Sequence, residues 1–416
     1  MSESGFGPAL ILAGTLLALT GSGCGSQTPG HEAAEGEVSQ PPSSLFRDVT
    51  DTHLPSGILD GLSMDAGVAD LDGDGDLDIV IANEFRPNIL LLNDGEGHFS
   101  DASGRLPRTE HDSEDVGIAD FDGDGDLDVV IVSEDDQVNE LYLNAGFGTF
   151  RDESSRIPVT GTTNGLVVAD LNLDGFPDLL LANNGQDAIL INDGAGNFRD
   201  ETDPRIPASP DVTQDLELGD VDGDGDLDLI VANEGPNILL FNDGTGHFIP
   251  SAWGIPPRDA PEETREADFG DVDGDGDLDL LFANVAAFVS EADPRNRLLI
   301  NDGQGRYSDE TETRLPRDEA SSFDGDFRDV DGDGDLDVLT GNSDVDLSQG
   351  RIADSPYRVY LNDGEGHFTE ATQEVFGAGV NGTGFDLEWG DFNGDGLEDV
   401  YLASRGSGDR LLLRVR

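Results

Sequence analysis

Short apolar runs, separated by loops of acid and glycine, set the rhythm of this chain. Ile79–Asn83 (IVIAN) is followed closely by Ile89–Asn93 (ILLLN), and similar pairs recur at Leu179–Asn183 with Ala188–Asn192 and at Leu229–Asn233 with Ile238–Asn242. Runs this short, rich in Val, Ile and Leu and bounded by turn residues, predict strands and not helices. A strand of small and apolar residues (GVAD, GIAD, LVVAD) precedes each pair. A hairpin of the form N-D-G-x-G-x-F follows and feeds a fourth strand, as at Phe99–Ser103. Asn-Asp-Gly is a strong hairpin signal. The unit repeats about every fifty residues, which signals a repeat architecture, and four antiparallel strands per unit is the plan of a propeller blade.

Complete hairpins are centred on Gly95, Gly146, Gly194, Gly244, Gly303 and Gly364, whereas the last unit stops at a third strand, LLLRVR. At the other end LFRDVT (Leu45–Thr50) matches the fourth strands FRDES and FRDET. The expectation is an all-β, seven-bladed β-propeller of four-stranded blades spanning 45–416. Its N-terminal strand would pair near residues 409–415, so that no raw sheet edge is left.

Between the first and second strand of every unit lies a loop of the form D-x-[DN]-x-D-G-x-x-D. Such crowded carboxylates repel unless a hard cation sits among them, and Ca²⁺ takes six to eight oxygens at roughly 2.3–2.6 Å. In the first copy Asp70, Asp72, Asp74 and Asp78 offer carboxylates and Asp76 a carbonyl. The equivalent sets are Asp120, Asp122, Asp124, Asp128 with Asp126, and Asp170, Asn172, Asp174, Asp178 with Phe176. Next come Asp220, Asp222, Asp224, Asp228 with Asp226, and Asp271, Asp273, Asp275, Asp279 with Asp277. The last two are Asp329, Asp331, Asp333, Asp337 with Asp335, and Asp391, Asn393, Asp395, Asp399 with Leu397. Gly75 and its equivalents supply the sharp turn. The opening resembles an EF-hand, but the twelfth positions are Ile81, Ile131, Leu181, Val231, Phe282, Thr340 and Leu402, where an EF-hand needs a bidentate Glu. The set therefore closes at the ninth position, in a strand–loop–strand site. The plainer alternative is that these Asp residues only form turns. It does not explain acceptors at fixed offsets in every unit. The third and seventh loops, with Asn172 and Asn393, should bind more weakly.

The formal charge of −67 excludes nucleic acid and anionic membrane surfaces as charge-driven partners. Cys24 stands alone, so an intramolecular disulfide is impossible. Ahead of it, Ala9–Leu19 is an apolar run of signal-peptide length. With Gly21-Ser22-Gly23 before the cysteine, residues 1–24 resemble a bacterial lipoprotein signal, and Cys24 is the expected lipidation site. Gly21 replaces the usual Leu and Met1–Pro8 lacks Lys and Arg, which leaves plain secretion as the alternative. Residues 25–44 read as a polar, flexible tether.

On the D-x-D-G-D-G-x-x-D loops and their period, the chain resembles the FG-GAP/VCBS class found in integrin α-subunit propellers and bacterial surface proteins. The resemblance covers 45–416. It implies a calcium-stabilised propeller, with metal loops on one face, that binds a protein or glycan; some related propellers are lectins or polysaccharide lyases.

Ligands are expected on the opposite face. There the link between second and third strands lengthens from Asn83–Asn93 in the first unit to Asn284–Asn301 and Asn342–Asn362 in the fifth and sixth. Function concentrates in such loops, so Phe288, Arg295, Arg297, Arg351, Tyr357 and Arg358 are the candidate ligand residues; neutral drift is the alternative. Five residues before each loop stand Asp65, Asp115, Asp215, Glu266, Asp324 and Asp386, with Gly165 the exception. They should ring the central channel, either as a cation- or amine-binding ring or as structural acids paired with Arg105, Arg156, Arg205 and Arg314 of the R-[LI]-P segments. No G-x-S-x-G elbow, H-E-x-x-H, Cys nucleophile or phosphate-cradling loop is present. A monomeric, exported, calcium-dependent binding module is the leading expectation, not an enzyme. A polysaccharide lyase using Arg and Tyr of the two insertions is the rival.

Overall fold

The computed structural model describes residues 44–415 apart from 58, 60, 135, 136, 319, 347–350 and 378, and only the backbone of 346 and 351. The proposed leader, Cys24 and nearly all of the tether lie outside the described residues. Among the described residues no helix is long and apolar enough to cross a membrane.

The protein is all-β and built from repeated four-stranded antiparallel sheets. The first sheet runs Ser63–Ala69, Asp78–Arg86, Ile89–Asn93 and Phe99–Asp101. The units beginning at His111, Thr163, Thr213, Thr264 and Ser321 repeat this order. The final unit supplies Gly384–Gly390, Asp399–Ser404 and Arg410–Arg414, and Phe46–Asp48 pairs antiparallel with the last of these (Phe46↔Arg414, Asp48↔Leu412). Val49 and Val415 extend that pairing by donating to Leu411 O and Leu45 O.

The second strands carry a continuous apolar run, such as Ile79–Ala82, because both of their faces are covered there. Ile79 and Ile81 pack with Tyr401, Ala403, Leu411 and Leu413, while Val80 and Ala82 pack with Val129, Ile131 and Tyr142. Leu179 and Leu181 likewise face Val130 and Leu141, with Leu180 and Ala182 turned to Leu229 and Val231. Side chains alternate across a strand, so each sheet is glued to two neighbours by a single run. Each such Leu or Ile contributes about 1.5–3 kcal/mol on burial. Ser63–Ala69 packs beside His111–Ala119 on one side and Gly384–Gly390 on the other.

Every first strand carries a bulge where its pairing slips by one residue, at Ser63/Asp65, Ser113/Asp115, Thr163/Gly165, Thr213/Asp215, Thr264/Glu266, Ser322/Asp324 and Gly384/Asp386. A bulge re-aims side chains. Here the extra residue of every unit lines one cavity, as does the acid after it except in the third unit, where Gly165 stands instead. The sixth-unit insertion, expected as a loop, instead prolongs its second strand to Asp346 and folds back as Arg351–Pro356, which pairs onward with Asn381–Gly382.

Candidate functional site

The acidic loops fold onto their own first carboxylate. Asp70 Oδ1 accepts from Gly73 N at 2.8 Å and Asp74 N at 3.1 Å, and its Oδ2 accepts from Gly75 N at 3.0 Å. Asp120 and Asp271 repeat the pattern. The ninth-position aspartate pins the loop to its sheet. Asp78 Oδ2 accepts from Leu71 N, and its Oδ1 from Asn93 N at the end of the third strand. The same double anchorage holds at Asp128, Asp178, Asp228, Asp279, Asp337 and Asp399; in the last unit Arg414 N stands in for the asparagine.

Carboxylate oxygens of the first, third and ninth positions converge. Those of Asp70, Asp72 and Asp78 lie within 4.8 Å of one another, and Asp120–Asp122–Asp128, Asp220–Asp222–Asp228 and Asp271–Asp273–Asp279 do the same. Within these clusters Asp72 Oδ1, Asp122 Oδ1, Asp220 Oδ1 and Asp273 Oδ1 are buried without a hydrogen-bond partner. Burial drives the ninth-position carboxyls upward, Asp78 and Asp178 to about 6, and Asp128, Asp228, Asp279, Asp337 and Asp399 to about 7, partly offset by their backbone donors. Unpartnered, converging, half-buried carboxylates are the donor set a hard divalent cation requires. The seventh position has a different part. The side chain of Asp76 lies against Gly95 of the hairpin, as Asp226 lies against Gly244 and Phe176 against Gly194, so an added Cβ would meet them at 2.6, 2.6 and 2.5 Å.

Neighbouring units are laced together at this end. Asn144 Nδ2 donates to Leu71 O of the preceding loop at 2.8 Å, and Asn93 Nδ2 donates to Phe392 O of the last loop at 2.8 Å. Arg105 bonds Phe147 O and faces Asp72; Arg156, Arg205 and Arg314 bond Ala195 O, Thr245 O and Glu365 O of the next hairpin. The expectation that these arginines pair with the channel acids is thus corrected. They sit at the loop end because each R-[LI]-P segment leaves the fourth strand beside the next hairpin.

The channel acids instead join sheet to sheet through the backbone. Asp65 accepts from Val116 N at 2.8 Å, Asp115 from Leu166 N at 2.6 Å, Asp215 from Ala267 N at 3.0 Å and Asp386 from Ala66 N at 3.0 Å. Gly165 breaks the series for want of room, since a Cβ there would meet Gln214 O at 2.8 Å. Around these acids lies a cavity of about 700 Å³, opening toward the links that carry Glu84, Glu134, Glu234 and Phe288. The bulge residues Met64, Glu114, Asn164, Gln214, Arg265, Phe323 and Phe385 line it and, apart from the two phenylalanines, differ from unit to unit.

Of the candidate ligand residues whose side chains are described, only Phe288 lines this cavity, with Ala287, Val345 and Ile352 of the same insertions beside it. Phe288 is 62% exposed, beside the Arg265 guanidinium, and Glu263 holds its loop by accepting from the backbone N–H of Ala287, Phe288 and Val289. Arg297 is 1% exposed and paired with Glu262 and Asp309. Tyr357 is fully buried, its hydroxyl on Ser404, and burial pushes its phenol upward. Arg295 pairs with Asp293 and Glu312, and Arg358 with Asp318. Burial of Arg297 and Tyr357 corrects the expectation for those two, whereas Arg295 and Arg358 are ion-paired but partly exposed. The Arg351 side chain lies outside the described residues. The channel was legible from the repeated acids; the bulge that turns a second residue into it was not.

A model of the FG-GAP-like repeat matches residues 70–131, 120–181, 170–231, 220–282, 285–340 and 329–402. No curated protein matches. Among solved structures, YCF48 bound to a D1 peptide is similar at 11% identity, with 91% of this chain and 100% of that one covered and a TM-score of 0.55. BBS1N in complex with ARL6DN is similar at 12% identity, with 90% and 98% covered and a TM-score of 0.55. A lectin from Agrocybe aegerita that recognises non-reducing terminal N-acetylglucosamine is similar at 17% identity, with 82% and 85% covered and a TM-score of 0.45. The feature shared with the first two is the propeller fold.

Proposed function

We propose, from the premise that this chain belongs to the FG-GAP-like repeat family, that it is a calcium-stabilised binding module without catalytic activity. In this reading it is a monomeric seven-bladed propeller, closed where Phe46–Asp48 joins the last sheet, and it presents a protein- or glycan-binding face. The observation that carries the proposal is the division between the two ends of the fold. One end repeats an acid cage unit after unit, whereas the bulge residues of the channel end vary, from Met64 through Glu114, Gln214 and Arg265 to the paired Phe323 and Phe385, and that end carries the exposed Phe288. Repetition suits a structural ion; variation suits recognition.

In each loop the first, third, fifth and ninth side chains and the seventh carbonyl would hold Ca²⁺, which supplies charge compensation. The chain's own residues then fix the loop on its sheet, through Asp78 and its equivalents, and link it to the next unit, through Asn144 and its equivalents. Propellers of similar fold captured with a peptide or a protein partner support a binding role. Among the described residues, the burial of Tyr357 and the pairing of Arg358 with Asp318 count against the lyase reading. The apolar Ala9–Leu19 run before Cys24 supports export, with either a lipid anchor on the envelope or secretion.

The test is capture by the full chain in millimolar calcium, against a glycan array and an envelope extract, with Phe288→Ala in parallel. The expected result is a retained glycan or protein that Phe288→Ala weakens. Unsaturated products released from uronic-acid polymers would overturn the non-catalytic reading.

A further inference from the structure

We propose that the central channel binds an extended organic cation, a chain bearing alkylammonium groups, where Glu217, Glu266, Asp324, Asp326 and Glu388 face one another across inner strands from different sheets. The proposal rests on the fold and not on the calcium loops, so either can fail alone.

Charge is the first argument. Three arginines line the cavity among the described residues, and two are taken: Arg265 by Glu263 and Glu234, Arg405 by both oxygens of Glu84. Arg328 remains, and its charge partly offsets those of Asp268, Asp326 and Glu388. Burial and mutual repulsion push Glu217, Glu266, Asp324 and Glu388 upward, and Asp386 to about 8. Carboxylates held close in a low-dielectric space are costly unless a cation joins them.

The second argument is a break in the clamp. Asp65, Asp115, Asp215 and Asp386 each accept a backbone N–H of the next sheet, but the sector holding Asp324 does not follow the pattern. There the deeper acids take over: Asp268 accepts from Phe327 N at 2.6 Å, and Asp326 from Trp389 Nε1 at 2.7 Å. Asp324 is only 5% exposed, lines the cavity, and its Oδ2 has no hydrogen-bond partner. That oxygen is an acceptor awaiting a donor.

Shape decides which cation. A bare ion draws oxygens to roughly 2.3–2.6 Å and would engage one side of a space of about 700 Å³. The walls also carry Leu216 and Leu387, with Phe323 and Phe385 stacked at 4.2 Å near the mouth. Acids from successive sheets with apolar and aromatic surface between them match ammonium groups joined by methylenes.

Calorimetric titration of the calcium-saturated full chain with spermidine tests this, with a trilysine peptide in a second arm. One spermidine per chain is expected, weakened at least tenfold by Asp324→Asn and by Glu217→Gln with Glu388→Gln, and unchanged by the outer hairpin variant Asp302→Asn. Trilysine binding with the same variant pattern would identify a peptide side chain as the source, and its absence a free amine. Trp389 gives a readout that needs no channel variant: with exposed Trp253 replaced by Phe, its fluorescence should change on saturation. No saturable binding up to millimolar amine, many weak sites indifferent to the channel variants, or a silent Trp389 would overturn the proposal.

Discussion

Asp72 contributes one oxygen to its loop's cluster and leaves Oδ1 buried without a partner. Asp72→Ala should therefore remove one ion from the total and lower the melting temperature in calcium. In chelator it should change little, because the repulsion it relieves offsets the packing it removes. Equal destabilisation in both conditions would show that Asp72 is only a turn residue. At Gly165 the limit is space. Gly165→Ala puts a methyl carbon 2.8 Å from Gln214 O and should cost about 1–3 kcal/mol, read as a lower urea midpoint with unchanged slope. An unchanged midpoint would mean that the inner strands yield. The acids at both kinds of site were legible because their spacing repeats with the unit. Their partners were not. Nothing in a sequence says that Asp65 accepts from Val116 N across a seam, or that Arg105 reaches the next hairpin instead of the channel.

At the scale of elements, Phe46–Asp48 is the strand with most at stake. It is short, but Phe46 is 3% exposed, with its ring edge-on to Phe376 at 5.6 Å and Trp389 at 6.4 Å. Removing residues 1–49 would bare the Arg410–Arg414 edge and the apolar surface beneath it. The expected outcome is loss of a single cooperative unfolding transition and concentration-dependent association in sedimentation. A monomer that unfolds as before would remove this strand from the account of closure. The strand was legible by its likeness to the other fourth strands. The sixth-unit insertion was legible only as extra length, because the hairpin its segments form with each other is completed by Asn381–Gly382, which is distant in sequence.

The whole molecule is governed by how its negative charge is compensated. In the channel, burial raises Asp115 to about 6, Asp215 and Asp268 to about 7, and Asp386 to about 8. The folded chain thus keeps protons that the unfolded chain has released above about pH 4. Stability from these groups is fully present below that pH and is lost as the pH rises through 6 to 8. With calcium saturating, the melting temperature should fall between about pH 5 and 8, and Asp386→Asn should flatten the upper part of that fall. A melting temperature that rises over this range would contradict the assignment.

The most direct test of the central claim is a count of calcium bound to the folded full-length chain by equilibrium dialysis, with melting followed in the same samples. The account predicts about seven ions per chain, with two weaker sites at the loops carrying Asn172 and Asn393, and a steep loss of melting temperature as the ions are stripped. Folded protein that holds almost no calcium and melts alike with and without chelator would contradict it.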